Sequence, residues 1–154
     1  ETVRKGITTS PWSLSWFAST RLSNHQRGGA IDVSLAKVNA TAQAVSGRYG
    51  YTVVTESNRY KMPTAMHELS AAAAAFAVPV SARSRTAWRK AEPSRAMNAA
   101  ALRLQRYCTD AGLTPLASEW WHFNDLETLE NSGANPSSGR YTLSTCMSAP
   151  PETK

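Results

Sequence analysis

Ser23-Asn24-His25-Gln26-Arg27-Gly28-Gly29-Ala30-Ile31-Asp32-Val33-Ser34-Leu35 places a histidine loop, a glycine pair and an alternating stretch in direct succession. Glycines let a backbone turn sharply and approach closely, so the His25 imidazole can fold back toward the Asp32 carboxylate. From Ala30 to Leu35 the period is two. Ile31, Val33 and Leu35 point one way, and Ala30, Asp32 and Ser34 the other. The apolar face predicts a strand packed on a core. A carboxylate inside such a strand is costly unless it is paired or on a metal. Asp32 is therefore a partner of His25, a loop cap, or a metal ligand.

Outward from this strand, Trp12 to Phe17 reads as a strand or a packed loop. Tyr49 to Thr55, beside Gly47 and Gly50, reads as a strand or a hairpin arm. A helix is predicted from Pro93, which suits a first helical turn, to Ala111, with Gly112 as its stop. Met97, Ala101, Leu104 and Cys108 recur at helical spacing, with Arg95, Arg103 and Arg106 elsewhere on its surface. Ala117 to Phe123 is short and aromatic and reads as a strand. The polar tail from Asn131 holds one further candidate strand, Arg140 to Ser144. Separate strands and helices predict an α+β domain spanning 1–154, a small, mostly antiparallel sheet with helices packed on it.

Composition narrows the function classes. The 154 residues suit one core, although 24 of them are alanine, which thins its bulky part. No run approaches 18 apolar residues, so no membrane span is expected. Seventeen basic against eleven acidic residues give +6, a charge that favours anionic surroundings, cell-wall polymers included. The basic cluster Arg83, Arg85, Arg89 and Lys90 carries no aromatic stacking motif, so no nucleic-acid partner is expected. Cys108 and Cys146 permit one disulfide without establishing it; paired, they place the chain outside the cytosol.

Of the three histidines, His122 lies in Ser118-Glu119-Trp120-Trp121-His122-Phe123. Paired tryptophans bracketed by an acid and a histidine make a dry pocket wall with two polar groups, or a core strand with a satisfied histidine. Two His and one Asp are a three-ligand set that leaves zinc an open fourth position. Glu119 is then the non-ligating general base that a zinc hydrolase needs. In a regular strand Glu119 and His122 face opposite sides, so an irregularity is predicted between them.

The two segments together resemble the zinc D-Ala-D-Ala dipeptidases related to vancomycin-resistance enzymes, and their metallocarboxypeptidase relatives. The resemblance runs from about Trp16 to Asn124. It implies one zinc ion at the sheet edge on His25, Asp32 and His122, with Glu119 as catalytic base. It also implies Ser23 on the substrate carboxylate and Trp121 in the substrate wall. The activity implied is zinc-dependent hydrolysis of D-Ala-D-Ala, with longer peptidoglycan stem peptides or cross-links as alternative substrates. A non-catalytic cell-wall binding module that keeps the zinc cradle is the alternative outside enzymes.

Two departures from the family stand out. Its Met-Gly-Thr-x-Phe-Asp stretch, whose acid lies near the substrate amine, corresponds here to Met62-Pro63-Thr64-Ala65-Met66-His67, with Glu68 next. A histidine thus replaces the acid, and His67 and Glu68 become the substrate-edge candidates. No Tyr-Arg-Pro precedes the first ligand, so the oxyanion-stabilising arginine is expected from an upstream segment absent from this chain. Arg21 does not match that motif, and Arg27 is a ligand-loop alternative. The start at Glu1 fits a removed leader or a longer parent, and an envelope or extracellular location is expected.

Overall fold

The computed structural model describes residues 23–131. They fall into two compact units, residues 35–60 and the remainder, 23–34 with 61–131. The smaller unit is a hairpin of β2 (Ala36–Ser46) and β3 (Tyr49–Arg59), antiparallel from Ala36 opposite Arg59 to Ser46 opposite Tyr49. The Tyr49–Thr55 arm is therefore the start of a longer strand. Its partner β2, alternating in small and polar residues, has too weak an apolar signal to announce itself.

The larger unit carries the site. Its sheet is antiparallel in the order β1 (Ala30–Asp32), β5 (His122–Asn124), β4 (Thr114–Pro115). A mixed α+β fold with a small antiparallel sheet is what the alternation and helical spacing predict. The first strand ends at Asp32, three residues earlier than the pattern suggests. Its outward residue is Ile31, which is 44% exposed, whereas Ala30 and Asp32 are half-buried. The expected burial is inverted because the Asp32 face is the one covered by the site.

The main helix, α1, is Ala99–Asp110, not a helix from Pro93. Asn98 caps it, its Oδ1 accepting from the Ala101 amide at 3.0 Å, the role for which asparagine is favoured. Pro93 instead bridges to Phe76, and Ser94 donates its amide to Ala75. The alanine-rich stretch therefore needs residues 93–94 as a partner, and the helix begins beyond them. The C-terminal end falls where the sequence places it. Gly112 adopts φ +89°, a conformation that side-chain-bearing residues rarely take, and the Leu113 amide closes onto the Cys108 carbonyl.

Ala101, Leu104 and Cys108 are buried on α1, with Met97 just ahead of it. Among the described residues Cys108 is a free thiol, and burial pushes its pKa up. Trp120, Trp121 and Phe123 supply most of the bulk that the alanines lack. The alanines do their part by being small. Ala73 and Ala75 are buried, and their backbones reach the Trp120 amide (2.9 Å) and the Ala117 carbonyl (2.9 Å). Bulkier residues would hold these chains apart.

The predicted strand Ala117–Phe123 is a strand only from His122; the tryptophan pair forms a turn before it. Both indoles are buried, at 2% and 1% exposure, and meet edge-to-face at 5.2 Å. Successive strand residues face opposite ways, so two adjacent buried tryptophans on one core favour the turn. A short helix, α2 (Leu126–Asn131), follows β5. No helix among the described residues is long and apolar enough to cross a membrane. Trp12–Phe17, Arg140–Ser144, Arg21 and Cys146 lie outside the described residues.

Candidate metal centre

Three separate pieces of chain converge at one end of β1 and β5. Asp32 and His122 are cross-strand partners, and residues opposite each other in an antiparallel pair share a face. The register therefore sets carboxylate beside imidazole. His25 arrives from the preceding loop, which closes through Arg27 to Ser23, Gly28 to His25 and Gly29 to Asn24 amide–carbonyl bonds of 2.9–3.1 Å. Gly28 takes φ +70° within that loop. Gly29 abuts the Leu129 side chain, where a Cβ would collide.

His25 Nε2 stands 3.1 Å from His122 Nδ1 and 3.4 Å from Asp32 Oδ1, and the third side of the triangle, His122 Nδ1 to Asp32 Oδ1, is 3.2 Å. Donors bound about 2.0–2.1 Å from a tetrahedral zinc ion stand about 3.3–3.4 Å apart. The spacing fits. Asp32 Oδ1 is buried and takes part in no hydrogen bond among the described residues. A desolvated carboxylate oxygen without a donor is costly, and flanked by two ring nitrogens it belongs to a set a divalent cation takes. These three residues form a group that can hold a metal ion.

Glu119 lies beside this triangle, with Oε2 3.6 Å from His122 Nδ1. The turn at Trp120 and Trp121 removes the parity conflict, because the chain is not extended between Glu119 and His122. Burial pushes the Glu119 carboxyl above the usual range and the Asp32 charge adds to this, while His122, His25 and His67 pull it back. The result is a carboxylate more basic than one in water.

His67 joins from the loop after β3. Its Nε2 is 2.9 Å from Asp32 Oδ2, the oxygen turned away from the triangle. Its ring meets Trp121 edge-to-face at 5.9 Å, and its backbone sits at φ +66°. Such a conformation in a residue other than glycine stores strain that the surroundings must outweigh. From His122 (10% exposed side chain) through Asp32 (21%) and His25 (39%) to His67 (67%), the site grades from core to solvent.

Other sequence-nominated residues have local roles. Ser23 accepts the Gln26 amide and donates its own to Gln26 Oε1, a loop brace. Glu68 is exposed, with Oε1 accepting from Ser70 Oγ at 2.6 Å. Arg27 donates to the Leu129 carbonyl at 2.9 Å. Asn24 and Asn124 are not among the residues that the sequence motifs nominate, yet both join the site. The Asn24 side-chain amide donates to Asn124 Oδ1 at 2.8 Å, and that oxygen is also 3.1 Å from His122 Nε2. The signal was present: a polar residue two along a buried strand from a histidine shares its face. No family model, curated protein or solved structure matches this chain.

Proposed function

We propose that the chain is a mononuclear zinc peptidase acting on D-Ala-D-Ala, in the free dipeptide or at the end of a peptidoglycan stem peptide. One observation carries the reading. Two imidazole nitrogens and an otherwise unpartnered carboxylate oxygen form a triangle of 3.1–3.4 Å with a raised-pKa glutamate at its side. Two His and one carboxylate with a separate glutamate is the donor pattern of a hydrolytic zinc site.

His25, Asp32 and His122 would hold the ion, and His67 keeps Asp32 turned through its outer oxygen. When bound, zinc lowers the pKa of a coordinated water toward ~7 and polarises the scissile carbonyl. Glu119 takes the proton from the attacking water and delivers it to the departing amine nitrogen, so its carboxylate is regenerated each cycle. The buried Trp120 and Trp121 rings close the inner wall against water. Arg27 donates a guanidinium N–H to the Leu129 carbonyl, a contact that braces the ligand loop.

Longer substrates are favoured by one detail. The family's amine-binding acid is replaced by His67, whose imidazole holds Asp32, and Glu68 is engaged with Ser70. An acylated D-Ala-D-Ala terminus has no free amine to satisfy at that edge. An envelope location belongs to this proposal.

Metal analysis of the purified chain, together with D-alanine release from D-Ala-D-Ala and from an acylated tripeptide ending in it, tests the reading. One zinc per chain and release from either substrate are expected. No bound metal overturns the site, and bound zinc without release from either substrate overturns the peptidase in favour of a binding module.

A further inference from the structure

His122 has two ring nitrogens, and only a neutral imidazole with its proton on Nε2 presents a lone pair at Nδ1. Nδ1 is the atom that faces His25 Nε2 at 3.1 Å and Asp32 Oδ1 at 3.2 Å. Two carboxylate oxygens, Asp32 Oδ1 and Glu119 Oε2 at 3.6 Å, draw the ring proton toward this side, and what draws it away lies on the other side of the ring. Asn124 follows two residues along β5, and its Oδ1 is 3.1 Å from His122 Nε2. The same oxygen accepts from Asn24 Nδ2 at 2.8 Å. Asn124 is 1% exposed, so bulk water does not compete for that oxygen. A carbonyl oxygen has two lone pairs. With one engaged by the Asn24 amide, the other calls for an N–H from His122.

We infer that Asn124 is a positioning residue that fixes His122 in the Nε2–H tautomer, and that Asn24 in turn fixes Asn124. Asn24 is well placed to do so. Its carbonyl accepts the Gly29 amide at 2.9 Å, closing the loop that presents His25. One residue thus shapes the first histidine's loop through its backbone and sets the second histidine's tautomer through its side chain. The loop and β5 are locked into one arrangement before any ion arrives. Hydrogen bonds of this kind behind a metal-bound histidine orient the ring and raise its basicity. The consequence for zinc affinity rests on the function proposed above; the tautomer is a property of the chain alone.

Two measurements test it. Long-range proton–nitrogen correlation spectra of the chelator-treated, labelled protein, at a pH above the imidazole range, report the tautomer directly. His122 is expected as Nε2–H, and Nδ1–H there overturns the inference. Zinc affinity by competition with a chromophoric chelator is expected to fall about 10–100-fold in Asn124→Leu and to stay within about threefold in Asn124→Asp, which keeps an oxygen for the same donors. Equal affinity in wild type and Asn124→Leu overturns it. Should Asn124→Leu not fold, the wild-type tautomer and the Asn124→Asp affinity decide. An Nε2–H tautomer in a protein that binds no zinc supports the positioning of His122 while overturning the metal reading.

Discussion

Asp32 shows how one side chain can be poor for stability and suited to holding a cation. Its Oδ2 has His67, but its buried Oδ1 faces ring nitrogens without forming a hydrogen bond. Asp32→Asn keeps an oxygen for His67 and turns an amide N–H toward His122 Nδ1. That exchange replaces two opposed lone pairs by a hydrogen bond, which contributes about 0.5–1.5 kcal/mol. Chemical denaturation of the metal-free variant is expected to show a stability equal to or above wild type by about that amount, with zinc binding lost. A metal-free variant clearly less stable than wild type would show that Oδ1 is already satisfied. Glu119 separates chemistry from binding instead. Glu119→Gln preserves shape and removes the proposed base, so under the proposed function zinc content should be unchanged while turnover falls about 10²–10⁴-fold. The group that could hold a metal ion, and the glutamate beside it, were legible from residue type and order. The hydrogen bonds behind them were not, because Asn24 and Asn124 owe their roles to a register that joins segments far apart in the chain.

Elements were legible where a local rule also had tertiary support. Gly112 ends α1 because both its conformation and the spacing ahead of it agree. Pro93 shows the opposite outcome: a good helix-starting residue is taken by pairing with Phe76, and Asn98 starts the helix. The tryptophan turn was signalled only by the demand that Glu119 and His122 reach one place. Helix α2 shows a cap whose worth depends on pH. Asp125 accepts the Thr128 amide at 3.0 Å and the Thr128 hydroxyl at 2.7 Å. These bonds, the hydroxyl first, hold its carboxyl below the usual range. A lowered folded-state pKa means that the unfolded chain binds the proton more readily. The stabilisation is therefore present above the unfolded value of ~3.9 and fades as pH falls through the lower folded value. Asp125→Ala is expected to cost about 1 kcal/mol near neutrality. Denaturation midpoints measured down the acid range should show the gap between wild type and variant closing below about pH 4. A gap that persists unchanged at lower pH would assign the loss to helix packing rather than to the ionised cap.

At the scale of the molecule, α2, β5, β1 and the His25 loop form one connected frame. The Asp125 amide donates to Gly29, Arg27 reaches the Leu129 carbonyl, and the Val33 amide reaches Trp121. The ligand triangle is thus built from parts that the backbone already holds together, and a metal bound there draws on the folded state alone. Anything that binds only the folded chain raises its stability by RT ln(1 + [L]/Kd), about 2.7 kcal/mol at a hundredfold excess over Kd. For a chain of this length that corresponds to a rise in Tm of about 5–10 °C. His25→Ala is the informative variant, since its ring is the most exposed of the three candidate ligands and its loss opens the least packing. Without zinc, its Tm should lie close to wild type. With zinc, the wild-type transition should move upward with concentration while that of His25→Ala barely moves. The comparison isolates the ion from the fold: equal shifts in both proteins would mean that zinc binds elsewhere, and a large metal-free loss in His25→Ala would mean that the imidazole serves the loop before it serves the ion.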